Sequence, residues 1–201
     1  IGGLYKKAVM NRGGKVVSET HIFMDATMEE AVAQLKKDAK DKIDAVIFAG
    51  DDVVAIDILK ELRKQGVKAP LIGGDILYTD EFLKNGKELT LGTILYSGFF
   101  PDVKDSKVER FVSGYKKKTG KKPESFAASA YDSFMLIAEA IKTARSLESS
   151  KVREALIQIK DFNGVTGKTT IGKDREAVKK SFILIAVKGE NGVVFKQVDV
   201  Q

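Results

Sequence analysis

The sequence contains no cysteine and a single histidine. The first absence excludes disulfides, thiolate metal sites and cysteine nucleophiles. It leaves the compartment open, because exported bacterial proteins often lack cysteine too. His21 stands beside Thr20 in a strand-like pattern and reads as a surface or packing residue. Gly-x-Ser-x-Gly, Walker A and His-Glu-x-x-His are all missing, and Gly73-Gly74-Asp75 lacks the glycine spacing of a phosphate loop. We therefore expect no catalytic residue, no metal and no cofactor. No apolar run approaches the ~20 residues of a membrane helix. The chain opens at Ile1 without an initiator methionine or a signal-peptide pattern, which leads us to expect a processed or truncated N-terminus.

What is present is a globular composition, with 43% hydrophobic and 31% charged residues over 201 positions. A chain of this length buries a substantial core and forms one or two domains. The formal charge of +6 comes from short basic runs such as Lys36-Lys37, Lys116-Lys117-Lys118 and Lys121-Lys122. Acidic residues are interspersed among them and no aromatics interleave. They read as solvated surface, not as a nucleic-acid footprint.

Along the chain, helix and strand signals alternate. Gly2 to Arg12 reads as a helix stopped by Gly13-Gly14, and Lys15 to Phe23 as a strand. Thr27-Met28-Glu29-Glu30 has the form of a capping box before a helix with Met28, Ala31, Val32 and Leu35 on one buried face. Ala45 to Ala49 is a continuous apolar run, the pattern of a strand covered on both faces. Asp51 or Asp52 then caps a helix carrying Ala55, Ile58, Leu59 and Leu62, and Gly66 ends it. A short strand over Pro70–Gly74, a helix around Asp80–Lys84 and a strand over Thr90–Phe99 follow. Next come three helices. The first is headed by a second capping box, Ser106-Lys107-Val108-Glu109. The second, after Pro123, aligns Ala127, Ala130, Phe134, Ile137 and Ile141. The third carries Val152, Ala155, Leu156 and Ile159. Strands at Val165–Ile171, Phe182–Val187 and Val193–Val200 complete the chain, the last two joined by Asn191-Gly192 in a type I′ turn. The first half thus predicts a parallel, doubly wound sheet, a rhythm the second half does not continue.

Several segments together resemble the branched-chain amino acid (Leu/Ile/Val) binding proteins of ABC transporters. They are Asp44–Gly50, Leu62–Asp75, Ala130-Tyr131-Asp132 and Phe162–Gly167. Each is weak alone, and their order and spacing over nearly the whole chain carry the resemblance. It implies the type I periplasmic binding fold: α/β, with flavodoxin-like parallel sheets in two lobes joined by three crossings. Residues 1–98 would be a second-lobe segment, 99–172 would lie in the first lobe, and 173–201 would return to the second. Members of that family carry a further N-terminal stretch before the position of Ile1, so the resemblance implies a fold incomplete at its N-terminus. A strand would then be missing between those at Lys15 and Ala45, and the helix from Ala127 to Ile141 would lack the sheet it packs on. An apolar face left open in that way favours self-association.

The function implied is capture of an amino acid or related solute, by hinge closure, for uptake through the membrane permease of an ABC transporter. The protein would be periplasmic, or extracellular and lipid-anchored. A receptor's ligand-binding domain on the same fold, and a flavodoxin-like enzyme or nucleotide-binding domain, are the alternatives. In open α/β sheets ligands sit outside the C-terminal strand ends, which places Asp51 and Asp75 on one rim. Asp75 matches the family's acidic residue for the ligand ammonium; its alternative is a cap or turn residue. Asp51 stands where relatives have an aromatic. It either caps the next helix or adds acidity to the pocket, a departure that bears on Leu/Ile/Val preference. Phe126 matches an aromatic that touches the ligand side chain in relatives. Tyr96 and Tyr78 are further candidates, and Tyr131 reads as packing. The family's carboxylate-binding segment is absent, so the chain alone would hold half of a site.

Overall fold

The computed structural model describes residues 2–22, 27–40, 42–172, 176–179 and 181–198. It divides into two compact units, one built from Ile1–Tyr96 with Ile183–Gln201 and the other from Ser97–Phe182.

The first unit starts with helix α1 (Gly2–Met10) and helix α2 (Met28–Ala39). Thr27 and Glu30 form the expected capping box: the Thr27 hydroxyl accepts the Glu30 amide at 3.3 Å, and the Glu30 carboxylate accepts the Thr27 amide at 2.9 Å. Strand β1 (Val46–Ile47), helix α3 (Asp52–Lys64), strand β2 (Leu71–Gly73), a one-turn 3₁₀ helix (Asp75–Leu77), helix α4 (Asp80–Gly86) and strand β3 (Ile94–Ser97) follow. The chain returns through strands β7 (Phe182–Gly189) and β8 (Gly192–Val198). The sheet order is β1-β2-β3-β7-β8. The pairs β1–β2 and β2–β3 are parallel, with Ile47 opposite Ile72 and Gly73 opposite Leu95, and β7–β8 is an antiparallel hairpin. The core joins the α3 face (Ala55, Ile58, Leu59, Leu62) to Leu71, Leu95 and Leu184. Phe195 of β8 stacks on Phe82 at 6.3 Å and meets the edge of Tyr78 at 5.5 Å.

Three expectations for this unit are corrected. Lys15 to His21 forms no strand: burial alternates with a period of two, as in a strand, but ladder hydrogen bonds are what define one, and only an isolated bridge occurs, at Ile22. Phe23 lies outside the described residues. The run Ala45–Ala49 is not covered on both faces, for β1 stands at one end of the sheet order and Ile47 is 38% exposed. The β7–β8 loop consists of Glu190-Asn191, since Gly189 pairs with Gly192. Among the described residues neither loop residue has positive φ, which rules out type I′; Gly192 takes the positive φ of 130°.

The second unit comprises helices α5 (Ser106–Thr119), α6 (Ser125–Ala144) and α7 (Ser149–Gln158) and an antiparallel sheet of β4 (Phe162–Gly164), β5 (Gly167–Ile171) and β6 (Ala177–Lys179). Phe99, Val108, Ala128 and Val165 form its core, with Phe111 and Val112 against them. Here too the sequence reading needs correction. Asp105, not Ser106, caps α5, accepting the amides of Lys107 at 2.8 Å and Val108 at 3.2 Å. The expected strand Val165–Ile171 is the second arm of a hairpin whose two-residue turn is Val165-Thr166. Helix α6 buries Ser125, Ala128, Asp132, Leu136 and Ala140, a stripe of small residues and one carboxylate. The larger apolar residues Phe134 and Ile137, on the face expected to lack its covering sheet, are 76% and 47% exposed, as that expectation requires.

Candidate functional site

Parallel pairing of β1, β2 and β3 brings their C-terminal ends to one rim of the first unit. Three of the four candidate site residues follow from those ends: Asp51 after β1, Asp75 after β2, and Tyr96 within the last turn of chain of β3.

Their side chains do different work. Asp51 is the N-cap of α3, with its carboxylate accepting the Val54 amide at 2.9 Å. Its neighbour Asp52 accepts the Thr79 hydroxyl at 2.9 Å, tying the start of α3 to the loop before α4. Asp75 is the first residue of the 3₁₀ turn and is half-buried. The cap position of that turn is Gly74, with no side-chain cap hydrogen bond. The Asp75 and Gly74 carbonyls accept the amides of Tyr78 and Leu77 at 2.9 Å and 3.1 Å, which fixes the backbone at the rim.

Tyr96 is 40% exposed and lies over the same turn. A Cβ at Gly74 would stand 3.4 Å from its phenol oxygen, in ordinary contact, so the ring lies against the backbone immediately before Asp75. Tyr5, on α1, completes the group. Partial burial is the main reason its phenol is pushed up to about 12; the charge and hydrogen bond of Tyr96 and the charge of Asp75 act in the same direction. Tyr96 thus lies against the backbone just before Asp75, whose charge reaches the Tyr5 phenol. Such a set offers a counter-charge and hydrogen-bond acceptors to a cation, which is binding chemistry.

Tyr5 was missed in the sequence because nothing in Gly2–Met10 announces that α1 runs beside a rim formed so much later in the chain. Tyr78 packs on Phe195. Phe126 belongs to the second unit, where it is 59% exposed near the start of α6. Tyr131, in the same unit, packs on Phe111 at 5.0 Å. Among the described residues, no cluster of three or more His, Asp or Glu side chains could hold a metal, and no helix is long and apolar enough to cross a membrane.

The family model for periplasmic binding proteins matches residues 3–191, and the chain belongs to that family. Among characterised relatives, the Leu/Ile/Val-binding protein BraC3 of Rhizobium johnstonii is 26% identical over 181 residues, 89% of this chain and 48% of its own. The branched-chain amino acid transporter substrate binding protein LivJ of Streptococcus pneumoniae, solved in complex with isoleucine, superposes with a TM-score of 0.78 at 29% identity, covering 98% of this chain and 56% of that one. The leucine binding protein LivK of Thermotoga maritima gives a TM-score of 0.81 at 24% identity, covering 97% and 55%, a likeness of fold. The resemblance drawn from Asp44–Gly50, Leu62–Asp75 and the later motifs is borne out, as is the type I periplasmic binding fold. The chain spans about half the length of the relatives it matches.

Proposed function

We propose that this chain serves an extracytoplasmic solute-binding protein that captures an amino acid for uptake by the membrane permease of an ABC transporter, with Asp75 as the counter-ion of the ligand ammonium. The observation that carries the reading is the placement of Asp75: a half-buried carboxylate that follows β2 at the C-terminal rim of adjacent parallel strands. Membership of the periplasmic binding protein family supports it, and so does the likeness to relatives named for leucine, isoleucine and valine. Binding involves no bond chemistry, so the protein works without catalysis. Its location is the periplasm or, with a lipid anchor, the outer face of the membrane.

A charge-assisted hydrogen bond from an ammonium to Asp75 contributes about 1.5–3 kcal/mol. Titration calorimetry of the protein carrying both halves of the site, with L-leucine, L-isoleucine and L-valine, tests the reading. We expect binding by the unmodified protein and a loss of roughly ten- to hundredfold in Asp75→Asn with unchanged thermal stability. Unaltered affinity in that variant would remove Asp75 from the site, and failure to bind any of the three would remove the function.

A further inference from the structure

Asn85, Asn163 and Asn191 each stand immediately before a glycine. An asparagine in that position can close a ring with the next backbone nitrogen, because glycine has no Cβ to block the approach. By sequence the three pairs are equivalent, and the fold makes them different.

Asn85 and Gly86 are the last two residues of α4. The helical ladder runs past them, since the Lys87 amide donates to the Leu83 carbonyl. Gly86 is buried, and a Cβ there would collide with Thr90. Asn163 lies in β4 opposite Lys168, and its carbonyl accepts the Lys107 ammonium. Gly164 is buried against the Asp132 carboxylate. Neither glycine can turn toward its asparagine without breaking packed structure. Asn191 and Gly192 stand at the tip of the β7–β8 hairpin, both exposed. Nothing lies within 4 Å of a would-be Cβ on Gly192. The Gly189–Gly192 pair is the last rung of its ladder. A terminal rung opens locally at little cost, whereas the two buried glycines are released only with the elements that hold them.

We propose that Asn191-Gly192 is a site of spontaneous covalent modification, a deamidation of Asn191 to aspartate and isoaspartate, from which the fold protects the other two pairs. Water is the co-reactant. The Gly192 nitrogen loses its proton to hydroxide and attacks Cγ of Asn191. The N–Cγ bond forms, the Cγ–Nδ2 bond breaks, and Nδ2 leaves as ammonia with a proton taken from water. Water then opens the five-membered imide at one of its two carbonyls. Attack at Cγ breaks the new bond and leaves aspartate. Attack at the main-chain carbonyl breaks the original peptide bond and leaves isoaspartate, with one more carbon in the main chain. Either product replaces a neutral amide by a carboxylate, so the formal charge of +6 falls by one. Isoaspartate also lengthens the loop, which displaces the Gly189–Gly192 rung.

The test is incubation of the full chain in heavy-oxygen water at mildly alkaline pH, both native and in concentrated urea. Peptide mass spectrometry with electron-transfer fragmentation then locates the label and separates isoaspartate from aspartate. In the native chain Asn191 is expected to take up label about tenfold or more faster than Asn85 or Asn163. In urea, where no element protects any pair, the three rates should draw together. Native amide exchange should likewise be faster at Gly192 than at Gly86 and Gly164. An unreactive Asn191 in the native chain, an Asn85 or Asn163 that keeps pace with it, or a rate order that persists unchanged in urea overturns the inference.

Discussion

The carboxylate of Asp132, 3% exposed on α6, accepts the hydroxyl of Thr166 at 2.6 Å, and the same group accepts the backbone amides of Val165 at 2.8 Å and Thr166 at 2.7 Å. One buried side chain thereby satisfies both residues of the β4–β5 turn. That is how a hairpin turn, ordinarily a surface feature, comes to be buried here with Val165 in the core. Gly164 belongs to the same arrangement, since a Cβ there would collide with the Asp132 carboxylate.

Removing the acceptor should be costly. Each buried donor left unsatisfied costs about 1–3 kcal/mol, so we expect Asp132→Ala to lose at least about 3 kcal/mol of stability and Thr166→Val about 1 kcal/mol. Urea denaturation measures both. If Asp132→Ala proved no worse than Thr166→Val, the amide contacts would contribute nothing and the account of the turn would fail.

Asp51 and Asp75 share a rim but should respond differently. Asp51→Ala, which removes the bond to the Val54 amide, is expected to lower stability by about 0.5–2 kcal/mol. Asp51→Asn, which preserves the cap, should lower it by less, and neither should alter amino-acid affinity. A stable Asp51→Asn protein with altered affinity would mean that this carboxylate faces the ligand.

Acid should open two helix ends before the core. The Thr27 amide, and then its hydroxyl, hold the Glu30 carboxyl below its ordinary value, and the Val108 and then the Lys107 amides do the same for Asp105. A carboxyl depressed in the folded state contributes stability above its unfolded pKa and loses it as pH falls through the folded one. We therefore expect the first turns of α2 and α5 to lose amide protection as pH falls below the ordinary values of 4.5 for Glu30 and 3.8 for Asp105, ahead of the Leu59 and Leu95 region. Hydrogen exchange at Glu30, Lys107 and Val108 follows it; protection that persisted there until global unfolding would contradict the prediction.

Helix α6 offers a comparison two residues apart. Leu136 is 8% exposed and Phe134 76% exposed. Leu136→Ala should cost about 2–5 kcal/mol and Phe134→Ser no more than about 0.5 kcal/mol. Equal costs would show that something covers the Phe134 face in solution.

Much of this architecture can be traced to local signals. The Thr27–Glu30 box, the Asp51 cap and the spacing of Ala55, Ile58, Leu59 and Leu62 act within a few residues of chain, and the structure contains all three as expected. Two errors, the α5 cap and the β7–β8 turn, are local, and the rest fall where a partner distant in sequence decides. Ser106 and Asp105 are adjacent and both suited to a cap, and the choice between them depends on where the first turn begins. In α6, periodicity favoured the large apolar residues, yet the helix turns Ser125, Ala128 and Asp132 inward because its neighbours approach closely and the Val165-Thr166 amides need an acceptor. At the rim, Asp75 could be picked out from its place after a strand and a Gly-Gly pair, whereas Tyr5 could not.

By itself the sequence determined the succession of helices, the parallel character of the first half and the family, because apolar period and capping chemistry are written locally. The tertiary structure alone decided which residues of α6 are buried, that Asp132 satisfies the Val165-Thr166 turn, and that Tyr96 lies against the backbone before Asp75. Those outcomes depend on which groups approach within hydrogen-bonding distance across long stretches of chain, and no local pattern records that distance.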